Sequence, residues 1–276
     1  MATHRPLALL ACRGGRCSQG QRNLPEEVPV ALSYNGTTQA VMMATPADLT
    51  DFAIGFSLTE GIARGSEITE VTVAAAARGI DLQIWLTGPA EARLAGRRRT
   101  MAGPVGCGLC GIDSIDEALR PPRLIGAPAL APALALTPAD VIRAMALLPA
   151  GQTLHDATRA AHAAAFFTPA QGLLALREDV GRHNALDKLA GALSSAAIDP
   201  AQGAVILTSR VSIDMVQKCC AIGAPILIAA SAPTAHAVEM ADAAGLTLIA
   251  LARGDGFEVF THSHRLAETE AKDVAC

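Results

Sequence analysis

Aromatic residues and charges are scarce in this chain. Phe, Trp and Tyr together make up 3% of its 276 residues and charged residues 17%, whereas hydrophobic residues reach 51%. A disordered chain is excluded, because disorder requires low hydrophobicity and high charge. With so few aromatic rings, the core has to be built from Ala, Leu, Val and Ile. The length suffices for one large domain or two modest ones.

The chain also lacks an excess of basic residues. It has 22 Lys and Arg against 26 Asp and Glu, which gives a net charge of −4. A general nucleic-acid binder needs a basic excess to neutralise phosphates, so no nucleic-acid partner is expected. The uncharged run 219–238 is long enough to span a bilayer. Gly223-Ala224-Pro225 and Ser231-Ala232-Pro233 break it into a helix end, a strand and a helix start, so no membrane association is expected.

Seven cysteines are spread irregularly along the chain. This spacing does not resemble the disulfide framework of a small secreted protein, which would be shorter and more regular. The pattern favours a cytoplasmic protein with reduced thiols.

Four strands and a helix are predicted in the first half. Segments 28–34 and 37–43 are strand-like and flank Asn35-Gly36, a strong hairpin signal. Segments 68–75 and 80–86 form a second pair. Thr45 begins a Thr-Pro-Ala-Asp tetrapeptide that predicts a helix start, with the threonine as cap, the proline in the first turn and the aspartate at the positive end of the helix dipole.

The sequence predicts a division of the chain into four segments. Residues 1–20 lack periodicity and are predicted to be a flexible tail, and residues 21–103 a small α+β domain. Residues 104–136 are rich in Gly, Ala and Pro and are interpreted as a loop and linker. Residues 137–276, which open with a second Thr-Pro-Ala-Asp, are predicted to be an α/β domain.

Short apolar strands alternate with helices in that last segment, which indicates a mostly parallel sheet covered on both faces. Ligands of open α/β sheets bind beyond the carboxyl ends of the strands. The predicted strands are 173–176, 204–207, 225–229 and 246–251, with helices at 184–193, 211–222 and 234–243. The segments expected at the carboxyl ends are 177–184, 208–210, 231–234 and 252–256.

These edge segments are polar or small, and three of them lead into helix N-termini, which present free N–H groups to anions. Arg182, Arg210 and Arg253 add charged donors for phosphate. The sequence therefore predicts a site for a phosphate-bearing or other anionic ligand. Ordinary solvated loops, with arginines paired to Glu178 and Asp179, remain the alternative.

The segment 106–111 holds two thiols, Cys107 and Cys110, in the sequence Gly-Cys-Gly-Leu-Cys-Gly. Glycine frees the backbone and removes side-chain cover, which favours an open loop where a reaction partner reaches sulfur. Such a pair is compatible with a redox couple, half of a zinc site or a sulfur carrier.

Two of these alternatives fit poorly. A zinc-dependent deaminase needs His-x-Glu or Cys-x-Glu upstream of Pro-Cys-x-x-Cys, whereas His236 and Glu239 lie downstream at the wrong spacing and Gly106 replaces the proline. A thioredoxin-like enzyme places its CxxC between an apolar strand and a substantial helix, a setting that is missing here. A structural zinc site shared with Cys219 and Cys220 stays open, although a buried role for those two is favoured.

Four motifs together resemble the formate dehydrogenase accessory sulfurtransferase (FdhD) family. They are the CxxC of 106–111, the block 177–188 (Arg-Glu-Asp-Val-Gly-Arg-His-Asn-Ala-Leu-Asp-Lys), Thr208-Ser-Arg210, and Phe52-Ala-Ile-Gly-Phe56 with Glu60-Gly61-Ile62. The resemblance extends from about residue 25 to residue 266.

The resemblance implies a sulfur carrier. Family members accept persulfide sulfur from a cysteine desulfurase and transfer it to the molybdenum (or tungsten) bis-molybdopterin guanine dinucleotide cofactor of formate dehydrogenase. It also implies a cytidine-deaminase-like fold for the C-terminal domain, a homodimer and no tightly bound metal ion. A cofactor-binding chaperone that moves no sulfur is the alternative function.

The resemblance assigns roles to residues as well. Cys107 corresponds to the persulfide cysteine, with Cys110 as the second thiol. Leu251 stands where the family often has an aromatic residue. The cofactor-binding residues that are expected are Leu251, Ala252, Arg253, Gly254, Asp255 and Gly256, with Arg177, Arg182, His183, Ser209 and Arg210.

Overall fold

The computed structural model describes residues 1–98, 121–126 and 134–267. Cys107 and Cys110 lie outside these described residues. The chain divides into two compact units. Unit 1 contains Met1–Pro121, Pro149–Ala164 and Leu176–Ile198, and unit 2 contains Pro122–Leu148, Ala165–Ala175 and Asp199–Cys276. This division differs from the predicted boundary at 136/137, because two later segments fold with the N-terminal part of the chain.

The N-terminus forms a β-hairpin rather than the flexible tail that was predicted. Strands β1 (His4–Arg13) and β2 (Arg16–Pro25) pair antiparallel along their whole length. Gly14 and Gly15 connect them with φ angles of 55° and 76°. Two consecutive positive φ angles give a turn whose twist matches that of the strands, and glycine adopts them without strain.

A disulfide joins Cys12 of β1 to Cys17 of β2. The expectation of reduced thiols is therefore wrong for this pair. The irregular overall spacing concealed it, because the bond depends on the register of one hairpin and not on a framework that involves the whole chain.

The predicted strands of the first half are confirmed. Strands β3 (Val28–Tyr34), β4 (Thr37–Ala44), β5 (Ile68–Ala76) and β6 (Gly79–Leu86) form a sheet of order β4-β3-β6-β5. One face of this sheet and helix α1 (Leu49–Thr59) share a buried cluster that includes Val30, Leu32, Phe52, Leu82 and Ile84. Helix α2 (Gly88–Arg98) follows β6.

Helix α1 does not begin at Thr45 as predicted. It begins at Leu49, after Asp48, which has a φ of 51° and makes no capping hydrogen bond with its side chain. The Thr45 N–H donates to Asp179 Oδ2 at 2.9 Å, and the Thr45 hydroxyl accepts from the Val180 N–H at 3.2 Å. Because tertiary partners use both groups, Thr45 is not available as a helix cap.

Helix α3 (Pro138–Gly151) begins as its tetrapeptide predicts. Thr137 Oγ1 accepts from the Asp140 N–H at 3.1 Å, and Asp140 Oδ2 accepts from the Thr137 N–H at 3.1 Å. Two donors at the helix end are thus satisfied reciprocally. Helix α4 (Thr153–Thr158) follows, and the sequence analysis missed it.

Unit 1 also contains helix α5 (Arg182–Ser195), which crosses α1 at close range. A Cβ on Gly55 would overlap the carbonyl oxygen of Asp187, and a Cβ on Gly191 would overlap that of Asp51. The two helices approach backbone to backbone, so each glycine is required by space rather than by conformation.

A six-stranded sheet has the order β12-β11-β10-β9-β7-β8. Its strands are β7 (His162–Thr168), β8 (Gly172–Asp179), β9 (Ala204–Leu207), β10 (Ile226–Ala229), β11 (Thr247–Arg253) and β12 (Gly256–Val259). Strands β9, β10 and β11 pair parallel, whereas β12 is antiparallel to β11. The sheet is therefore mixed. Strands β9, β10 and β11 are parallel as predicted, but the prediction of a mostly parallel sheet is wrong for the sheet as a whole.

Strand β7 was not predicted, because three consecutive alanines follow His162 and alanine favours helix. All residues of β7 after His162 are buried, so tertiary packing outweighs the helix propensity of the alanines. Helices α6 (Ile213–Ile222) and α7 (Ala235–Ala244) connect the parallel strands of unit 2. Among the described residues, no helix combines the length and the hydropathy that crossing a bilayer requires.

The crossing of α1 and α5 gives a stability prediction. Gly55→Ala forces the helices apart and is expected to destabilise the chain by about 3 kcal/mol or more, the upper range of overpacking. Gly88→Ala, at the first residue of α2, meets open space and is the matched control. Urea unfolding followed by circular dichroism measures both. Equal midpoints for the two variants would contradict the close crossing.

Candidate functional site

The segments that follow the parallel strands of unit 2 lie together, as predicted. The Ala230 N–H donates to the Leu207 carbonyl at 2.9 Å, which joins the ends of β10 and β9. Val211 donates to Ala232 at 3.3 Å, and Thr234 donates back to Val211 at 3.0 Å. This carboxyl edge of the sheet is the candidate ligand site, and we call it the strand-end site.

The predicted cofactor segment 251–256 borders this edge as part of a hairpin and not as a loop. Strand β11 continues to Arg253, and Gly254, with a φ of 59°, begins the turn into β12. Leu251 has a φ of 53° and a side chain that is 40% exposed. The Arg253 Nε–H donates to the Ala230 carbonyl at 2.6 Å, so this side chain fastens the segment to the end of β10.

A small cleft lies between this hairpin and α3. It encloses no space that would hold a water molecule, whereas small-molecule pockets typically enclose roughly 300–1,000 Å³. The cleft is therefore a surface depression and not a formed ligand pocket. Its lining residues are Val141, Ile142, Met145, Ala252, Arg253, Gly254, Gly256 and Phe257.

The N-terminus of α6 is the part of the strand-end site that lacks an internal cap. Ser212 precedes the helix, and its side chain makes no capping hydrogen bond. Within the described part of the chain, its buried Oγ has no hydrogen-bond partner. At α7, by contrast, Thr234 Oγ1 accepts from the Ala237 N–H at 3.2 Å. Buried polar atoms normally have partners, so the Ser212 hydroxyl fits a polar group of a ligand.

Ser209 and Arg210 lie just before this helix. Ser209 is buried, and its hydroxyl donates to the Arg210 carbonyl at 3.0 Å. Arg210 is exposed and brings a cation to the helix start, whereas Asp214 places a negative charge in the first turn. An anion at this position would be bound by the arginine and by the first N–H groups of the helix, against the repulsion of Asp214.

The predicted residues Arg177, Arg182 and His183 belong to unit 1, within the block 177–188. Asp179 is the centre of this block. Its Oδ2 forms an ion pair with Lys188 Nζ at 2.7 Å and accepts from the Thr45 N–H at 2.9 Å. Its Oδ1 accepts from the Gly181 N–H at 2.7 Å and from Asn184 Nδ2 at 3.0 Å.

Arg177 binds two carboxylates of unit 1. Its Nε–H donates to Asp51 Oδ2 at 2.8 Å, and Nε lies 3.6 Å from Asp48 Oδ1. The alternative in which the arginines of the edge segments form ion pairs is thus observed for Arg177. Its partners are Asp48 and Asp51, and not Glu178 or Asp179. Since its guanidinium is neutralised, a role of Arg177 in cofactor binding stays a prediction with little geometric support.

Glu178 caps a helix. Its two carboxylate oxygens accept from the Leu154 N–H at 2.7 Å and the His155 N–H at 2.8 Å, at the start of α4. A carboxylate in this position satisfies free N–H groups and complements the helix dipole. It replaces the capping residue that the sequence of α4 lacks, since Gln152 makes no cap with its side chain.

Arg182 and His183 begin α5, and their ligand roles stay predictions. Arg182 Nε is buried and has no hydrogen-bond partner in the described ranges. Burial, together with the charges of Arg182 and His155, lowers the pKa of His162, and the carboxylate of Asp179 opposes this effect.

Cys219 and Cys220 of α6 are buried, which is the role that the sequence favoured for them. Burial raises the pKa of Cys220 to about 12 and that of Cys219 well above its ordinary value. Both thiols are thus protonated at neutral pH, as expected of buried cysteines that take no part in thiolate chemistry. In the part of the chain that the structure describes, no three His, Cys, Asp or Glu residues are grouped to hold a metal ion.

Comparison with known proteins leads to the family that the sequence motifs resemble. The model of the FdhD/NarQ family matches residues 25–267. The chain belongs to this family. The sulfur carrier protein FdhD of Agrobacterium fabrum is 53% identical over 271 residues, which cover 96% of this chain and 97% of that protein. Its counterpart in Brucella abortus is 53% identical over 261 residues, 94% of this chain and 96% of that one.

A solved structure shares the fold of this FdhD/NarQ family member. The crystal structure of a protein described as a formate dehydrogenase accessory protein, from Desulfotalea psychrophila, has a TM-score of 0.73 and 22% sequence identity. The match covers 96% of this chain and the whole of that chain. At this identity the likeness concerns the fold alone.

Sequence reasoning did not single out Ser212 or Asp51, and it assigned Asp48 to a helix start rather than to an ion pair with Arg177. Ser212 lies two residues after the quoted Thr-Ser-Arg motif, and serine is a common helix cap, so the unpaired hydroxyl is what marks it among the described residues. Asp51 lies one turn before a glycine of the α1–α5 crossing. No pattern in the sequence indicates that it binds Arg177.

Lys188→Met tests the buried pair. It leaves Asp179 as a buried carboxylate without its cation and is expected to cost about 3–5 kcal/mol of unfolding free energy. The control is Arg93→Met, which removes a pair with Glu67 whose arginine is half exposed and is expected to leave the unfolding midpoint nearly unchanged, because exposed ion pairs contribute little. Chemical denaturation measures both. A loss for Lys188→Met no larger than the control would show that the pair is dispensable.

His162 predicts a pH dependence. Because its pKa is lowered in the folded chain, the unfolded chain binds more protons as the pH falls below about 6.5. Its contribution to stability is present above that pH and is lost as the pH falls toward the lowered pKa. His162→Gln is expected to flatten the acid limb of stability between pH 5 and 7, and the exposed His236→Gln is not. Unfolding midpoints across that range test this, and unchanged midpoints in His162→Gln would refute it.

Proposed function

We propose that this chain is a sulfur carrier in the maturation of formate dehydrogenase. Cys107 accepts sulfur from a cysteine desulfurase, and the sulfur is transferred to the molybdenum (or tungsten) bis-molybdopterin guanine dinucleotide cofactor. The observation that carries the proposal is family membership over residues 25–267, together with near full-length relatives that bear the name sulfur carrier protein. Formate dehydrogenase as the destination is what the resemblance of the motifs to this family implies.

The transfer proceeds by thiol chemistry. The Cys107 thiolate attacks the outer sulfur of the persulfide on the desulfurase, and the desulfurase cysteine leaves as a thiolate. Cys107 then carries the persulfide to the cofactor, which is the substrate that receives sulfur. Cys110, three residues on, is proposed as the second thiol, able to displace sulfide from Cys107 by forming a disulfide.

The strand-end site of unit 2 is the proposed binding place of the cofactor's nucleotide end. A guanine dinucleotide brings phosphates, and the start of α6 offers helix N–H groups, exposed Arg210 and the Ser212 hydroxyl that has no partner within the described residues. The segment Leu251–Gly256 keeps its proposed role at the border of this site.

Several finer proposals accompany this function. A cytoplasmic location, a homodimer and the cysteine desulfurase as partner come from the resemblance and the cysteine pattern. The cytidine-deaminase-like fold of the C-terminal domain also stays a prediction. The other candidate function is a chaperone that binds the cofactor without moving sulfur, since sulfur transfer and cofactor binding use different segments.

Intact-mass analysis separates the two functions. After incubation with a cysteine desulfurase and cysteine, the chain is expected to gain one sulfur that a reductant removes, because a persulfide bond is reducible. Cys107→Ala is expected to lose this gain, and Cys220→Ala, which removes a buried thiol, is expected to keep it. If the native chain gains no sulfur, the carrier is rejected and the chaperone is supported.

Nucleotide binding tests the strand-end site. Guanosine diphosphate is expected to bind and adenosine diphosphate to bind at least tenfold more weakly, the discrimination that a site hydrogen-bonded to the base achieves. Ser212→Ala is expected to weaken binding about threefold to tenfold, as for one hydrogen bond, and the exposed Ser263→Ala to leave it unchanged. Calorimetric titration measures the affinities. Equal affinity for both nucleotides would reject the assignment.

A further inference from the structure

The N-terminal hairpin is a basic element that precedes the family match. Strands β1 and β2 span residues 4–25, whereas the matched region begins at residue 25. The hairpin contains Arg5, Arg13, Arg16 and Arg22 and no Asp or Glu, in a chain whose net charge is −4. Its positive charge therefore distinguishes it from the rest of the molecule, and the family motifs do not account for it.

The base of the hairpin is held by contacts, and its tip carries free charge. Arg5 forms an ion pair with Glu26 at 2.8 Å, and Arg22 donates to the Thr158 carbonyl at 3.4 Å. Arg13 and Arg16 flank the turn, are exposed, and form no ion pair with any described residue. The tip thus presents two cations to solvent.

Counted from the turn, Arg13 and Arg16 form the first residue pair of the hairpin and Cys12 and Cys17 form the second. The two cysteines are directly opposite each other. Their Cα atoms are 4.0 Å apart. In a hairpin with a two-residue turn the residues next to the turn form a hydrogen-bonded pair, so the following pair is the non-hydrogen-bonded one, whose side chains lie closest. The register of the backbone therefore places the two sulfurs within bonding reach of each other.

Both cysteines are exposed. Exposure decides how easily a thiolate reaches a disulfide sulfur, and exposed disulfides belong to the labile class. Disulfides in reducing compartments are mostly transient and redox-active, whereas structural ones belong to secreted proteins. The neighbouring arginines stabilise the thiolate that leaves when the bond opens.

We propose that the Cys12–Cys17 disulfide is a thiol-exchange site for low-molecular-weight thiols that carry negative charge. Three observations support it. They are the exposed position at the hairpin tip, the direct register of the two cysteines, and two exposed arginines that form no ion pair with a described residue. The site is separate from Cys107 and does not require sulfur transfer by that residue. The cytoplasmic location proposed above is where such thiols are abundant.

The reaction balances with the small thiol as reductant. Its thiolate attacks one sulfur of the Cys12–Cys17 bond, which breaks, and a mixed disulfide forms while the other cysteine leaves as a thiolate. A second small thiolate attacks the small-thiol sulfur of the mixed disulfide. The products are the free dithiol and the small-molecule disulfide, so two electrons enter the protein. The reverse reaction uses that small disulfide as oxidant.

Glutathione is the probe for the test. The full chain is incubated in glutathione buffers of defined ratio under native conditions, trapped with an alkylating agent and digested for peptide mass mapping. We expect the Cys12 and Cys17 peptides to pass reversibly between disulfide and dithiol, with a glutathione adduct at intermediate ratios. The buried Cys219 and Cys220 are the internal control and are expected to remain unmodified. A Cys12–Cys17 bond that opens only after urea is added would overturn the proposal, because it would be a structural crosslink.

Charge reversal tests recognition of the anion. Arg13→Glu with Arg16→Glu is expected to slow exchange with glutathione about tenfold, the scale of electrostatic steering, and to slow exchange with neutral 2-mercaptoethanol clearly less. Arg78→Glu, at the exposed turn between β5 and β6, is the matched control and is expected to change neither rate. Equal slowing with both thiols would reject recognition of negative charge. Persulfide formation on Cys107 is measured separately, so failure of either proposal is visible without the other.

Discussion

The buried ion pair between Asp179 and Lys188 is the interaction on which unit 1 depends. Both side chains are fully buried, and removal of each charge from water costs several kcal/mol, which only good geometry offsets. Asp179 obtains that geometry from four donors, and Lys188 Nζ also donates to the Thr45 carbonyl at 2.9 Å. The pair therefore fixes the end of β8, the start of α5 and the connection from β4 to α1 in one arrangement. The close glycine crossing lets α5 approach α1 and keep that arrangement. A displaced α5 would leave two buried charges unsatisfied.

This network changes the meaning of the most specific motif in the sequence. Within the block 177–188, Arg177, Glu178, Asp179, Asn184 and Lys188 all have structural partners inside unit 1, either a carboxylate, a helix end or each other. A polar motif of this kind invites assignment to a ligand, yet its side chains are mostly occupied by the fold. The candidate ligand groups are found instead in unit 2, where Ser212, Arg210 and the hairpin at Arg253 border the ends of the parallel strands. The hairpin at Cys12 and Cys17 adds a second place where chemistry is accessible, outside residues 25–267 that the family model matches.

Local sequence predicted those elements whose signals are complete within a few residues. The strands around Asn35-Gly36 follow from a turn that demands positive φ, and β9, β10 and β11 from short apolar runs bounded by glycine and proline. Their order along the chain also predicted that residues 208–210 and 231–234 meet at one edge. Strand β7 and helix α4 were missed because burial and a remote carboxylate, Glu178, decide them. The N-terminal hairpin was missed because its strands are largely exposed and lack the alternation that a half-buried strand shows.

The tetrapeptide Thr-Pro-Ala-Asp occurs twice and separates what the sequence determines from what the tertiary structure decides. At Thr137 the threonine and Asp140 cap each other's N–H groups, and the helix begins where the sequence alone places it. In the tetrapeptide at Thr45, Asp179 accepts from the threonine N–H, and the Val180 N–H donates to the threonine hydroxyl. The helix there begins only at Leu49. A local cap forms when its atoms have no competing partner, and a buried carboxylate more than a hundred residues away is a stronger partner than the start of a helix.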